Sequence, residues 1–232
     1  MATKVEEITV SVGERNSVTA LLYAATARKR ARTTVVLGHG AGGNQLSGFM
    51  PLFAGGLAAR GLDTMTFNFL YSEQGRRAPD PKAKLESCYG AVIEAAREHR
   101  TLKANRLVIG GKSMGGRIAS QVAATGVDDL AGLVFLGYPL HPPGKPDQLR
   151  AEHLKDIRAP MLFMQGSRDA FGTPDELSEI IRKLSLTATL YEVLGGDHSF
   201  KVHKSAPLSQ QQVYEAAMDE IARWLAAQPE NR

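Results

Sequence analysis

Of the 232 residues only one, Cys88, is a cysteine, so the chain can close no internal disulfide and build no Cys-rich zinc site. Aromatics are scarce at 6%, and the basic excess is slight: the formal net charge is +4, with the positive residues scattered. Nucleic-acid binding calls for a concentrated basic face, so no nucleic-acid partner is expected. Long apolar runs are missing too. The longest charge-free stretch, Thr33 to Ala59, holds seven glycines with His39, Asn44, Gln45 and Pro51, a poor composition for a membrane helix. The opening Met-Ala-Thr-Lys-Val-Glu-Glu has no apolar signal core. No internal repeat and no low-complexity block divides the chain. The expectation is a soluble protein of a reducing compartment, the cytoplasm, without a membrane partner.

What is present is 43% hydrophobic residues, enough for one sizeable core, over a length that α/β folds use as a single unit. One domain over 1–232 is therefore expected. Val5–Val12 and Ser17–Tyr23 alternate apolar and polar residues around Gly13–Asn16, the pattern of an antiparallel hairpin. Short β-rich runs then alternate with helical ones. Strands are expected at Thr33–Leu37, Thr64–Phe67, Arg106–Ile109, Leu133–Leu136, Met161–Met164 and Thr189–Leu194. Helices are expected at Phe49–Arg60, Leu85–Arg100, Gly115–Thr125, Glu176–Leu184 and Gln210–Ala227, with Gly61 and Gly126 as stops. A hairpin followed by β-α units predicts a mostly parallel sheet with helices on both faces. Ligands in such sheets sit beyond the carboxyl ends of the strands. Two proline-rich segments, Arg76–Pro81 and Tyr138–Pro146, each follow a strand and are expected on that face. The tail, residues 228–232, is polar and expected to fray.

The residues with chemical potential also follow strands. Gly111-Lys112-Ser113-Met114-Gly115 matches G-x-S-x-G between a strand and a helix. A nucleophile there sits on a strained turn, and the residues two before and two after crowd it, so both are glycine. Gly38-His39-Gly40-Ala41-Gly42-Gly43 follows the first core strand. In an acyl-transfer enzyme such a loop supplies one oxyanion donor, assigned to the N–H of Ala41 with Gly42 as the alternative; the N–H of Met114 is the second. A phosphate loop would need a Lys that is absent. Gly38, Gly40 and Gly43 do fit dinucleotide-loop spacing, but Asp63 is the sole nearby acid and a hairpin precedes it. His39 is expected to brace this loop. Asp169 lies just past the strand ending at Met164 and would orient a histidine, Asp175 being the expected helix cap. His198, in Gly-Gly-Asp-His-Ser-Phe after the last strand, is the candidate general base. His99, His153 and His203 read as surface or packing residues. Ser113, Asp169, His198 is the Ser…Asp…His chain order of the α/β-hydrolase fold.

From Thr33 to the C-terminus the chain resembles the α/β-hydrolase superfamily, and within it small dienelactone-hydrolase-like proteins. It is most similar to the group containing testis-expressed protein thirty and the hydrolase-like subunit of the nonspecific-lethal chromatin complex. The residues behind that match are His39–Gly42, Arg76–Asp80, Gly111–Arg117, Gly137–Lys145 and Gly166–Gly172. Dienelactone hydrolases use a cysteine nucleophile; this chain departs from them, with Ser113 in the elbow and Cys88 in an expected helix. The resemblance implies cofactor-free, metal-free acyl transfer on a small-molecule ester or thioester. Ser113 would attack, His198 accept the proton, Asp169 orient His198, and Ala41 and Met114 receive the oxyanion. With only Gly137 to Pro160 between two core strands, holding one short helix at Ala151–Ile157, no large lid is expected. Arg76, Arg77, Lys112, His141, Lys145 and Arg168 lie near strand ends and are expected to form a positive substrate rim. Two other readings are a non-catalytic interaction protein, suggested by the chromatin-complex resemblance, and a serine peptidase, for which the usual extra domains are missing.

Overall fold

The structure is a computed structural model describing residues 5–25 and 30–229; the last three residues of the tail expected to fray lie outside it. Eight strands form one sheet in the spatial order β1-β2-β4-β3-β5-β6-β7-β8. They are β1 (Val5–Val12), β2 (Asn16–Tyr23), β3 (Thr33–Gly38), β4 (Asp63–Phe67), β5 (Arg106–Lys112), β6 (Leu130–Leu136), β7 (Met161–Gly166) and β8 (Ala188–Val193). β1 and β2 form the expected antiparallel hairpin, and β2 also runs antiparallel to β4. Every other pairing is parallel. This is the α/β-hydrolase architecture.

The central strands are apolar at nearly every position because helices cover both faces. β3, β6 and β7 are buried throughout. Their side chains alternate between two cores. Val36, Leu133 and Phe135 face the layer made by α3 (Lys82–Glu98), α4 (Met114–Ala124) and α5 (Pro174–Lys183). Val35, Leu37, Val134 and Leu136 face α1 (Phe49–Ala59) and α6 (Gln210–Ala227). A one-turn helix, α2 (Leu70–Glu73), follows β4.

The boundaries depart from expectation where local signals are weak. β5 continues through Gly110 and Gly111 to Lys112, because both glycines stay paired between β3 and β6. α3 starts three residues early, directly after Pro81, where a polar Lys-Ala-Lys turn hides the apolar period. α2 is too short to show any period. The cap of α5 is Thr173, not Asp175: its side chain accepts the N–H of Glu176 while the Glu176 carboxylate accepts the N–H of Thr173, a reciprocal capping box. Only a single 3-10 turn, Glu152–Asp156, interrupts the connection between β6 and β7. Among the described residues no helix is long and apolar enough to cross a membrane.

The register aligns the carboxyl ends that matter. Gly38 of β3 pairs with Gly111 of β5, Lys112 with Leu136, and Gly166 with Val193. The segments after β3, β5, β7 and β8 therefore leave the sheet at one edge. Tyr89 of α3 locks this region from below. Its buried hydroxyl lies 2.7 Å from the carbonyl of Gly110 and 2.9 Å from that of Val36, and accepts the N–H of Gly110 at 3.0 Å. Tyr89→Phe leaves a buried N–H and carbonyl unpaired, which costs about 1–3 kcal/mol. The expected result is a lower urea midpoint with an unchanged slope.

Candidate active site

Ser113 stands at the junction of β5 and α4 with φ 51° and ψ −116°, a backbone region that a side chain disfavours by about 1–3 kcal/mol. Two glycines make room for it. A Cβ on Gly111, whose φ is +148°, would lie 2.3 Å from the carbonyl oxygen of Gly38, and one on Gly115 would lie 2.1 Å from the same oxygen. Neither contact is tolerable, so glycine at both places lets the turn press onto β3. The Ser113 N–H donates to Leu136 O at 3.2 Å, and its carbonyl accepts the N–H of Arg117 at 3.0 Å.

The loops after β7 and β8 bring the next two residues to it. The distance from Ser113 Oγ to His198 Nε2 is 2.8 Å, and His198 Nδ1 lies 2.7 and 2.9 Å from the carboxylate oxygens of Asp169. The Asp169 carboxylate is fully buried, and each oxygen also receives a second donor, one from its own loop and one from the end of β7. Phe171 N–H donates to Oδ1 at 2.8 Å and Gln165 Nε2 to Oδ2 at 2.9 Å. Gln165 also accepts the N–H of Tyr138 at 2.8 Å, so it ties the loop after β6 to the acid. The Phe171 ring lies against the His198 imidazole, with centroids 4.2 Å apart. Neither Gln165 nor Phe171 was singled out from the sequence. The available signal was a lone polar residue ending the apolar strand Met-Leu-Phe-Met-Gln.

His39 braces the loop after β3, as expected. It is buried, its Nδ1 lies 2.8 Å from Gly40 O, and its Nε2 accepts the N–H of Phe69 at 3.2 Å. Those partners require a neutral ring protonated at Nδ1, and burial lowers its pKa accordingly. Ala41, Met114, Ser113 and His198 all line one cavity of about 610 Å³, whereas Gly42 does not. No other acceptor among the described residues takes the N–H of Ala41 or Met114. Pro79 and Asp80 from the first proline-rich segment, and Pro139 from the second, reach the same cavity. Cys88 is remote from it, buried in α3 against Asn68 O, with its thiol pushed up to about 12 by burial.

The six residues expected as a positive rim do not gather. Arg76 folds back onto Asp80 at 2.7 Å and onto Gln74. Arg77 and Lys145 are exposed and do not line the cavity. Arg168 turns to the carbonyls of Gly195 and Lys201. His141 is buried, with Nδ1 2.9 Å from Pro142 O and Nε2 3.3 Å from Glu176. Lys112 alone of the six lines the cavity. Proximity to a strand end did not determine side-chain direction; local acceptors did. Arg117 and Arg150, which the sequence did not mark, line the cavity instead. Among the described residues no group of three or more His, Cys, Asp or Glu side chains is placed to hold a metal ion.

The model of the alpha/beta hydrolase domain family matches residues 31–226, and the chain belongs to that family. Among solved structures it is similar to a serine hydrolase without a lid from Xanthomonas campestris, at TM-score 0.74 and 19% identity over 99% of each chain. It is also similar to a dienelactone hydrolase from Anabaena variabilis, at TM-score 0.77 and 18% identity over 99% of this chain and 100% of that one. Est1E from Butyrivibrio proteoclasticus, solved with ferulic acid bound, matches at TM-score 0.75 and 14% identity over 94% and 99%. At these identities the likeness is one of fold.

Lys112, between the glycine and serine of the elbow, carries a buried ammonium that donates to His198 O at 2.5 Å and sits 5.8 Å from the Phe49 ring centroid. Burial pushes its pKa down to about 8, against the opposing pull of Asp169 and Asp197. Folding therefore disfavours the charged form. The unfolded chain binds more protons between pH 8 and 10.5, so this group adds stability as pH rises through that window. The expected gain is on the order of 1–3 kcal/mol. It is read as the difference between wild type and Lys112→Met in urea midpoints from pH 7 to 10; a flat difference would refute it.

Proposed function

We propose that this chain is a serine hydrolase that cleaves an ester or thioester of a small acyl substrate through an acyl-enzyme. The observation that carries this reading is the unbroken hydrogen-bonded chain from Ser113 Oγ through His198 to the buried Asp169. In it, Asp169 accepts the Nδ1–H of His198 and so keeps Nε2 free to take the serine proton. Ser113 Oγ then bonds to the substrate carbonyl carbon while the proton passes to Nε2. The oxygen becomes an oxyanion, held by the N–H groups of Ala41 and Met114. Collapse breaks the carbonyl C–O or C–S bond, and His198 returns its proton to the leaving alcohol or thiol. Water, deprotonated by His198, next attacks the acyl carbon; the bond from that carbon to Ser113 Oγ breaks, His198 returns the proton to Oγ, and the acid is released. The chain needs no cofactor for these steps.

Family membership supports the reading, as does the likeness in fold to a serine hydrolase, a dienelactone hydrolase and Est1E with ferulic acid bound. The serine elbow and the buried Cys88 separate it from cysteine-based dienelactone chemistry. The motif resemblance to the testis-expressed protein thirty group supports placing it in that subgroup. The short connection between β6 and β7 supports an open site suited to small substrates.

The decisive experiment is labelling with a fluorophosphonate probe, followed by intact mass. Stoichiometric labelling of wild type and none of Ser113→Ala is expected. Asp169→Asn is expected to fold and to lose about 10³–10⁴ in kcat on any ester that wild type cleaves, by the tautomer effect. A folded wild type that takes no label would overturn the reading.

A further inference from the structure

The cavity beside Ser113 is lined by two arginines, Arg117 and Arg150, whose guanidinium groups make no hydrogen bond or ion pair among the described residues. Its other ionisable side chains have polar partners. Lys112 donates to His198 O, Lys82 lies 3.4 Å from Glu86, and Asp80 receives Arg76 at 2.7 Å. Asp80 keeps its second oxygen unpartnered, but its charge is met by Arg76. Arg117 and Arg150 differ. Arg117 is on α4, four residues after Ser113, which places its Cα about 6 Å along the helix from the serine. Its Nε is buried with no hydrogen-bond partner among the described residues. Arg150 joins the protein through its backbone, donating N–H to Leu140 O at 2.8 Å and accepting Tyr138 Oη at 2.8 Å. Its guanidinium has no ion-pair or hydrogen-bond partner among the described residues. Burial first, and then the like charge of Arg150, lower the pKa of Arg117, against smaller opposing pulls from Tyr138 and Glu86.

A half-buried guanidinium whose buried Nε lacks an acceptor is costly, and a second one sharing its cavity makes it worse. A planar fork of donors fits a carboxylate or a phosphate, which supplies both the missing acceptors and the missing charge. Resting on the reading of Ser113 as nucleophile, we propose that Arg117 and Arg150 form a subsite for an anionic group of the substrate. The substrate class is then an ester or thioester that carries a carboxylate or phosphate a few bonds from its scissile carbonyl. These two arginines, and not the cations near the strand ends, select for charge.

The test compares kcat/KM for p-nitrophenyl hemiglutarate with that for p-nitrophenyl pentanoate, whose acyl chains have the same length. Wild type is expected to prefer the anionic ester at least tenfold, and Arg150→Gln to lose that preference. Arg117→Lys, which keeps a charge but not the fork, is expected to reduce it. Arg223→Gln, a substitution on the exposed face of α6, is expected to keep it. In parallel, free glutarate and inorganic phosphate are titrated against thermal midpoints of wild type and Arg150→Gln, a readout independent of catalysis. A saturable rise in wild type that is lost in Arg150→Gln supports the subsite, and the better of the two anions tells carboxylate from phosphate. If wild type cleaves both esters equally, the subsite is wrong while the hydrolase reading stands. If wild type cleaves neither ester and takes no fluorophosphonate, the hydrolase reading falls. The subsite then stands or falls on the midpoint shift alone, and its absence overturns it.

Discussion

The contact on which the site depends is the meeting of three backbones at Gly38. Ser113 occupies a left-handed conformation that its side chain disfavours, and it is kept there because Gly111 and Gly115 both press against the Gly38 carbonyl. Each would clash if it carried a Cβ, so the approach exists only because both are glycine. The same contact draws the loop after β3 towards the serine and starts α4 immediately after it. A nucleophile, a helix amino terminus and a candidate oxyanion loop thus share one packing event. The local strain is offset by the buried sheet around it, which Tyr89 fastens from the α3 side.

Electrostatics at the site follow from burial. Asp169 stays in the interior because three donors, Gln165, Phe171 and His198, satisfy its oxygens. Lys112 is held against a carbonyl and an aromatic ring at a cost visible in its lowered pKa. Its position ties the strand that carries the nucleophile to the loop that carries the base. Arg117 and Arg150 differ, since among the described residues neither guanidinium has a hydrogen-bond or ion-pair partner. The proposed anion subsite rests on these two half-buried guanidinium groups sharing the cavity of the nucleophile.

Much of this was legible in the sequence, for physical reasons that differ by element. Strands buried on both faces are short apolar runs, and the helices between them show their period over ten or more residues, so the alternation was readable. It failed where the signal was shorter than its period, as at α2, or where glycines that look like a turn stay in the ladder, as at Gly110 and Gly111. The α5 cap was misassigned to Asp175 because an acid near a helix start is common, whereas the reciprocal Thr173–Glu176 bond is a matter of geometry.

The sequence by itself determined the fold class and the order of Ser113, Asp169 and His198, because both rest on local patterns: residue type, spacing and position after a strand. Tertiary structure decided which side chains share a cavity. Arg76, Arg168 and His141 were drawn to nearby acceptors and carbonyls, so no rim formed. Gln165 and Phe171 became the supports of the acid, and Arg117 and Arg150 the cations of the site. Such choices depend on strand register, helix direction and competition among partners far apart in the chain, none of which a local pattern encodes.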